Sequence, residues 1–208
     1  STSFRVMPFI RSMSSIPCPV ERWDLDVVVS GSQKGWMVPP GLAFLYMSER
    51  AWKANAEAKI PRFYFDAVKT RDSLAKLQNP WTPAMSIYYA MDKAFELIRA
   101  EGLEGVFTRH EAIANYTRQR VKGLGLSLVP VDESRASNTV TAVWWPEGVD
   151  GKSISKRARD EFGIVLGGGH GKLEGKIFRV GHLGWVQQHE VAEALDVVEQ
   201  LLAEAKAG

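Results

Sequence analysis

The residues best suited to chemistry are concentrated in one run, Asp26-Val-Val-Val-Ser-Gly-Ser-Gln-Lys34-Gly-Trp-Met-Val-Pro-Pro-Gly41. An apolar strand over residues 25–30 delivers Lys34 on a tight turn. An amine at the end of such a strand loses hydration, which favours its uncharged, nucleophilic form. That amine can condense with an aldehyde to give a Schiff base. Ser30, Ser32 and Gln33 place short hydroxyl and amide donors around it, a set suited to a phosphate. From spacing alone, an exposed turn lysine is the commoner reading.

The other chemistry-bearing patterns fail. Gly167-Gly168-Gly169-His170-Gly171-Lys172 lacks the nucleotide-loop pattern, because Leu166 stands where glycine is required and Leu173 where Ser or Thr would bind magnesium. It reads as a flexible glycine loop. His110-Glu111 and His189-Glu190 each begin a zinc-protease pattern without the second histidine. Four histidines and one cysteine give no ligand cluster with metal spacing. There is no Gly-x-Ser-x-Gly elbow. The seven tryptophans are scattered through predicted elements, as core or rim residues would be.

Positioning Lys34 requires a frame. Strands are expected at residues 25–30 and 42–47, a helix at 48–58, and a loop with a short helix over 61–82. Thr82-Pro83 predicts a helix start, with Thr capping and Pro in the first turn. Ala84, Ile87, Tyr88, Met91, Phe95 and Ile98 recur at helical spacing until Gly102, and a second helix is expected over 104–122. Strands then follow at 126–129, 139–145, 163–166 and 176–181, with helices at 151–162 and 188–205. The last helix buries Val191, Ala194, Leu195, Val198, Leu201 and Leu202. The expectation is two domains, 1–102 and 103–208, the second a compact α+β unit with a mainly antiparallel sheet.

The bulk numbers fit this frame. The 208 residues are 45% hydrophobic and 24% charged, which is ordinary for a globular chain. A net charge of +2, with no dense Lys/Arg stripe, argues against nucleic acid as a partner. No apolar run reaches the ~18 residues of a membrane span. The single Cys18 excludes an internal disulfide and fits a reducing, cytoplasmic compartment. Residues 1–20 contain arginines and serines but no acid, which leaves an organelle transit peptide as the alternative to an altered start.

The run Ser30-Gly-Ser-Gln-Lys34-Gly-Trp-Met-Val-Pro-Pro-Gly41-Leu-Ala-Phe44 resembles the cofactor-lysine segment of class V aminotransferases. The nearest subgroup is the alanine–glyoxylate and serine–glyoxylate enzymes, with the proteins named soluble hydrogenase small subunit. The resemblance runs over roughly residues 16–205, including the helix from Thr82 and the segment Gly175-Lys-Ile-Phe-Arg-Val-Gly-His-Leu-Gly184. It implies an α/β fold: the carboxy-terminal part of a fold type I transferase dependent on pyridoxal 5'-phosphate (PLP). A remnant of the large domain would be joined to a small α+β domain.

It further implies that Lys34 holds PLP as a Schiff base and shuttles the substrate proton. Gln33 would contact the cofactor phosphate, with Ser32 and Ser30 beside it. Thr82 would reach the phosphate of a neighbouring subunit in a homodimer. Asn79 falls where the family has an aromatic hydroxyl. Arg179 would grip the carboxylate of an amino acid or 2-oxo acid, its guanidinium fork pairing two-to-two with the acid. The implied activity moves an amino group from alanine or serine to glyoxylate or a similar 2-oxo acid.

The family is longer on its amino-terminal side. There it supplies phosphate donors, an aromatic that stacks on the cofactor, and an aspartate that holds the pyridine nitrogen protonated. In Arg11-Ser-Met-Ser-Ser15, Arg11 stands where that aspartate is expected. Three readings follow: a fragment or altered product of an active enzyme, a truncated non-catalytic relative acting as an interaction or accessory subunit, or a subunit completed by another chain.

Overall fold

The computed structural model describes residues 3–9 and 12–207, and Arg11 lies outside the described residues. Two three-stranded sheets flank a long helical hairpin.

The first sheet joins β1 (Val6–Pro8), β2 (Val27–Gly31) and β3 (Ala43–Met47) in that order. β1 runs parallel to β2, with Val6 opposite Val27, and β3 runs antiparallel to it, with Ser30 opposite Phe44. Side chains on β2 alternate: Val28 and Ser30 are buried while Val27 and Val29 are half-buried. The expectation of a second buried strand at 42–47 is corrected, because Leu45 and Tyr46 are 55% and 44% exposed. β3 is an edge among the described residues, and Leu45 and Tyr46, which point to opposite faces, are left uncovered on both.

Asp26 ties this sheet together. Its buried carboxylate accepts from the Arg5 amide (3.0 Å), the Ser48 hydroxyl (2.8 Å) and Arg50 Nε and Nη2 (2.7 and 2.8 Å). The Arg50 guanidinium, aided by the Arg5 amide and Ser48, holds its pKa well below the usual carboxylate range. Ser48 also caps α1 (Glu49–Glu57), accepting from the Ala51 amide. Asp66 likewise caps the short α2 (Ala67–Leu74).

The hairpin is α3 (Met85–Glu101) and α4 (Leu103–Gly123), turning at Gly102. The Thr82-Pro83 start moves two residues on. Ala84 is the cap and makes no side-chain cap bond, while the Pro83 and Ala84 carbonyls accept from the Met85 and Ile87 amides in a preliminary turn. α4 buries Val106, His110, Ile113, Ala114, Thr117 and Val121, one stripe at helical spacing.

The second sheet has the order β4 (Val140–Trp144), β6 (Ile177–Gly181), β5 (Gly167–Gly168), all antiparallel. α5 (Gly151–Phe162) and α6 (Gln188–Ala207) pack with α4 against one face. Phe178, Val143, Val121, Leu195, Val198 and Leu201 meet there, fully buried. The strand expected at 163–166 is displaced to Gly167–Gly168. Residues 163 and 164 instead close α5: Gly163 is left-handed (φ 71°), and its amide and that of Ile164 donate back to Ala158 O. Residues 126–129 form only a bridge, Leu128 to Val143.

Candidate active site

The Lys34 turn is held from three sides. Ser32 binds both limbs of the loop. Its amide donates to Leu42 O (3.0 Å), its carbonyl accepts from the Val38 amide (3.3 Å), and its hydroxyl donates to Pro39 O (2.7 Å) while accepting from the Leu42 amide (3.2 Å). Trp36 Nε1 donates to Ser30 Oγ (2.9 Å), and its ring packs on Phe44 and edge-on to Phe95 of α3, with centroids 5.2 and 5.8 Å apart. Gly35 presses on the third side. A Cβ there would stand 2.1 Å from Met13 O and 2.6 Å from Ser15 Oγ. Only glycine lets the chain pass this close to segment 13–15.

Within this frame Lys34 is half-buried and Gln33 is exposed, its amide oxygen lying over Gly31. Ser30 and Ser32, read from sequence as phosphate donors, are buried and act as braces of the turn. Ser30 still has its own proton to donate. Sequence reasoning missed Ser14 and Ser15. Both are buried (4% and 0% exposed), and neither hydroxyl has a partner among the described residues. Their oxygens lie 3.0 and 2.6 Å from the Cβ position of Gly35. Orphaned buried hydroxyls mark a place where another polar group belongs.

Arg179 sits on β6 with its side chain on the face away from the core, half-exposed. Its neighbours on that face are Ala142 of β4 and Gly167 of β5, which leave room above the guanidinium. Arg179 Nε donates to Gly168 O (2.8 Å), and Nη2 lies 3.1 Å from His170 Nε2. The glycine loop thus orients the arginine, a use the sequence did not reveal.

β6 runs directly into loop 182–186, which meets the Lys34 turn. A Cβ on Gly184 would stand 3.2 Å from Met37 Cγ and 3.7 Å from Lys34 O. The strand carrying Arg179 and the turn carrying Lys34 are therefore one short loop apart. Thr82 is exposed, and the turn makes no hydrogen bond to it among the described residues. Thr82 follows Trp81, whose ring stacks on Tyr64 (5.4 Å) and contacts Phe63 (4.9 Å). Asn79 Oδ1 accepts from the Tyr88 hydroxyl.

Residues 9–180 match the family model described as aminotransferase class V. The chain is 42% identical over 199 residues to the soluble hydrogenase small subunit of Synechococcus sp. (strain PCC 6716), covering 96% of this chain and 51% of that protein. It is 35% identical to the L-aspartate–glyoxylate aminotransferase of Paracoccus denitrificans (strain Pd 1222), covering 94% and 49%. Among solved structures, alanine–glyoxylate aminotransferase from Nostoc sp. superposes with a TM-score of 0.91 at 31% identity, over 96% of this chain and 54% of that one. Pyridoxamine-pyruvate aminotransferase from Mesorhizobium loti gives 0.92 at 31% identity, over 98% and 53%. The chain spans about half the length of the curated relatives it matches. Its fold is the α/β fold of the type I PLP-dependent aminotransferases, in partial length. With the family model matched along most of its residues, the chain belongs to the class V aminotransferases.

Proposed function

We propose that this chain is the lysine-bearing part of a PLP-dependent transaminase, moving an amino group from a small amino acid such as alanine or serine to glyoxylate or another 2-oxo acid. The observation that carries this reading is the junction just described: Gly184, five residues beyond Arg179, packs on the backbone of Lys34. The backbone that carries Arg179 thereby meets the turn that carries Lys34, an arrangement that would let an amine and a carboxylate-binding guanidinium serve one substrate.

The residues present suit the lysine side of a PLP site. Lys34 supplies the amine, Gln33 an amide, and Ser30 a hydroxyl. Ser14 and Ser15 offer two buried oxygens with no other partner among the described residues. When bound, PLP supplies an electron sink for the substrate α-carbon. Lys34 Nζ would then take and return the proton at that carbon, and Gly35 seats the turn against segment 13–15. Arg179 binds the substrate carboxylate two-to-two, with Gly168 O and His170 holding the plane of the fork.

The same reading divides the chain at Gly102 into a cofactor part and a small domain. It also makes the active form a homodimer. Phe63, Tyr64 and Phe65 are 69%, 60% and 89% exposed and cluster with Trp81, an apolar patch of the kind that marks an interface. Thr82 on its rim would reach the phosphate of the partner's site.

The test is a half-reaction. Purified chain mixed with PLP should absorb in the yellow region, and alanine or serine should discharge that band, with Arg179→Ala raising the amino acid concentration needed by about tenfold to a hundredfold. A chain that takes up no PLP supports instead the accessory-subunit reading.

A further inference from the structure

We propose that Arg109 and His110, neighbours on α4, are positioning residues for the Lys34 turn, acting through loop 182–186. This rests on the reading of Lys34 as the cofactor lysine and adds to it the device that sets its place.

His110 is fully buried. The Gly184 amide donates to its Nε2 (3.1 Å), so Nε2 must be the unprotonated nitrogen. The proton is then on Nδ1, which donates to Val106 O (2.7 Å). One neutral tautomer satisfies both contacts, and burial pushes the pKa of this histidine down from its ordinary value. Arg109 holds the same loop by its carbonyls: Nη1 donates to Gly184 O (2.9 Å) and Val186 O (3.1 Å). Its guanidinium is fixed in turn by Glu101 at the end of α3, at 2.7 and 3.0 Å, with both side chains largely covered. Gly184 is therefore gripped at its N–H and its C=O by consecutive residues of one helix.

What the loop presses on gives the grip its meaning. Gly184 is left-handed (φ 80°) and lies against Met37 and Lys34 O. Met37 is itself left-handed (φ 66°), an unfavourable state for a residue with a side chain, and its amide donates to Lys34 O. A strained residue persists when its surroundings over-determine it. Here the clamped loop supplies one side of the surrounding, and the cluster of Val38, Met91 and Ala94 the other. Arg109 and His110 thus fix the middle of the path from Arg179 through loop 182–186 to Lys34.

The test is amide hydrogen exchange on the 208-residue chain, read by peptide. His110→Leu keeps the bulk and removes the acceptor, while His110→Gln restores an acceptor near Nε2. Exchange in His110→Leu should rise about tenfold in peptides covering 182–186 and also in those covering 33–38. Peptides of α5 and α6 should be unchanged, and His110→Gln should return both regions toward the parent. Should His110→Leu fail to fold, Arg109→Gln gives the same comparison. Faster exchange at 182–186 with 33–38 unchanged would overturn the proposal, as would no change in either. Because exchange needs no cofactor, a chain that binds no PLP sinks the transaminase reading and still leaves the clamp decided.

Discussion

At the scale of single residues, Gly35 and His182 make separate claims. Gly35→Ala places a Cβ 2.1 Å from the Met13 carbonyl, a contact that backbone atoms cannot yield cheaply. Lys34 should then shift, and labelling of Lys34 by PLP should fall below a tenth of the parent level even if the chain still folds. His182 is buried and neutral, with Thr141 Oγ1 at 2.8 Å from Nε2 and Nδ1 facing Asn138 O at 3.2 Å. Burial pushes its pKa from 6.5 down to about 4. A depressed histidine stabilises the fold fully above its unfolded value and progressively less as pH falls toward its folded value. The difference corresponds to roughly 3 kcal/mol lost between pH 6.5 and 4. Urea titrations across that window should show the slope, and His182→Gln should flatten it. An unchanged slope would mean that other groups drive the loss.

At the scale of elements, Asp26 and Phe178 hold the two sheets. Asp26, just ahead of β2, binds Arg5 beside β1 and Ser48 and Arg50 beyond β3. With its pKa depressed, its stabilisation is present above the ordinary carboxylate range and lost as pH drops below about 4. Asp26→Asn should lower the melting temperature at neutral pH and remove that most acidic part of the stability curve. Phe178 of β6, fully buried between the second sheet and its helices, should cost about 3–5 kcal/mol when cut to Ala, measured by denaturant unfolding. These elements differ in how far the sequence reveals them. The helical stripes of α3 and α6 are periodic and were legible, although Tyr88 is exposed and Ala194 only half-buried. β1 was not, because Pro8 reads as a breaker and its only signal is pairing with Val27, twenty-one residues away. The strand at 163–166 misled because its apolar run looks extended, while Gly163 and Ile164 are spent on closing α5.

At the scale of the whole molecule, the candidate site joins parts that local sequence cannot connect. The lysine segment was legible because its chemistry is dense and contiguous. The roles of Ser14 and Ser15 depend on a contact with Gly35, and the His110–Gly184 bond spans seventy-four residues, so neither leaves a mark in spacing. The exposed aromatic patch around Trp81 belongs to this scale as well. Phe65→Asp with Tyr64→Asp should shift a dimer to a monomer in sedimentation at micromolar concentration, and a parent chain that is already monomeric would contradict the dimer reading.

The central claim is that the amine of Lys34 condenses with the aldehyde of PLP, and reductive trapping tests it most directly. The chain is incubated with PLP, reduced with borohydride, digested, and the modified lysines are mapped by mass spectrometry. The prediction is a phosphopyridoxyl label concentrated on Lys34 and absent in Lys34→Ala. Labelling spread evenly over surface lysines, with Lys34 no more reactive than the rest, would contradict it.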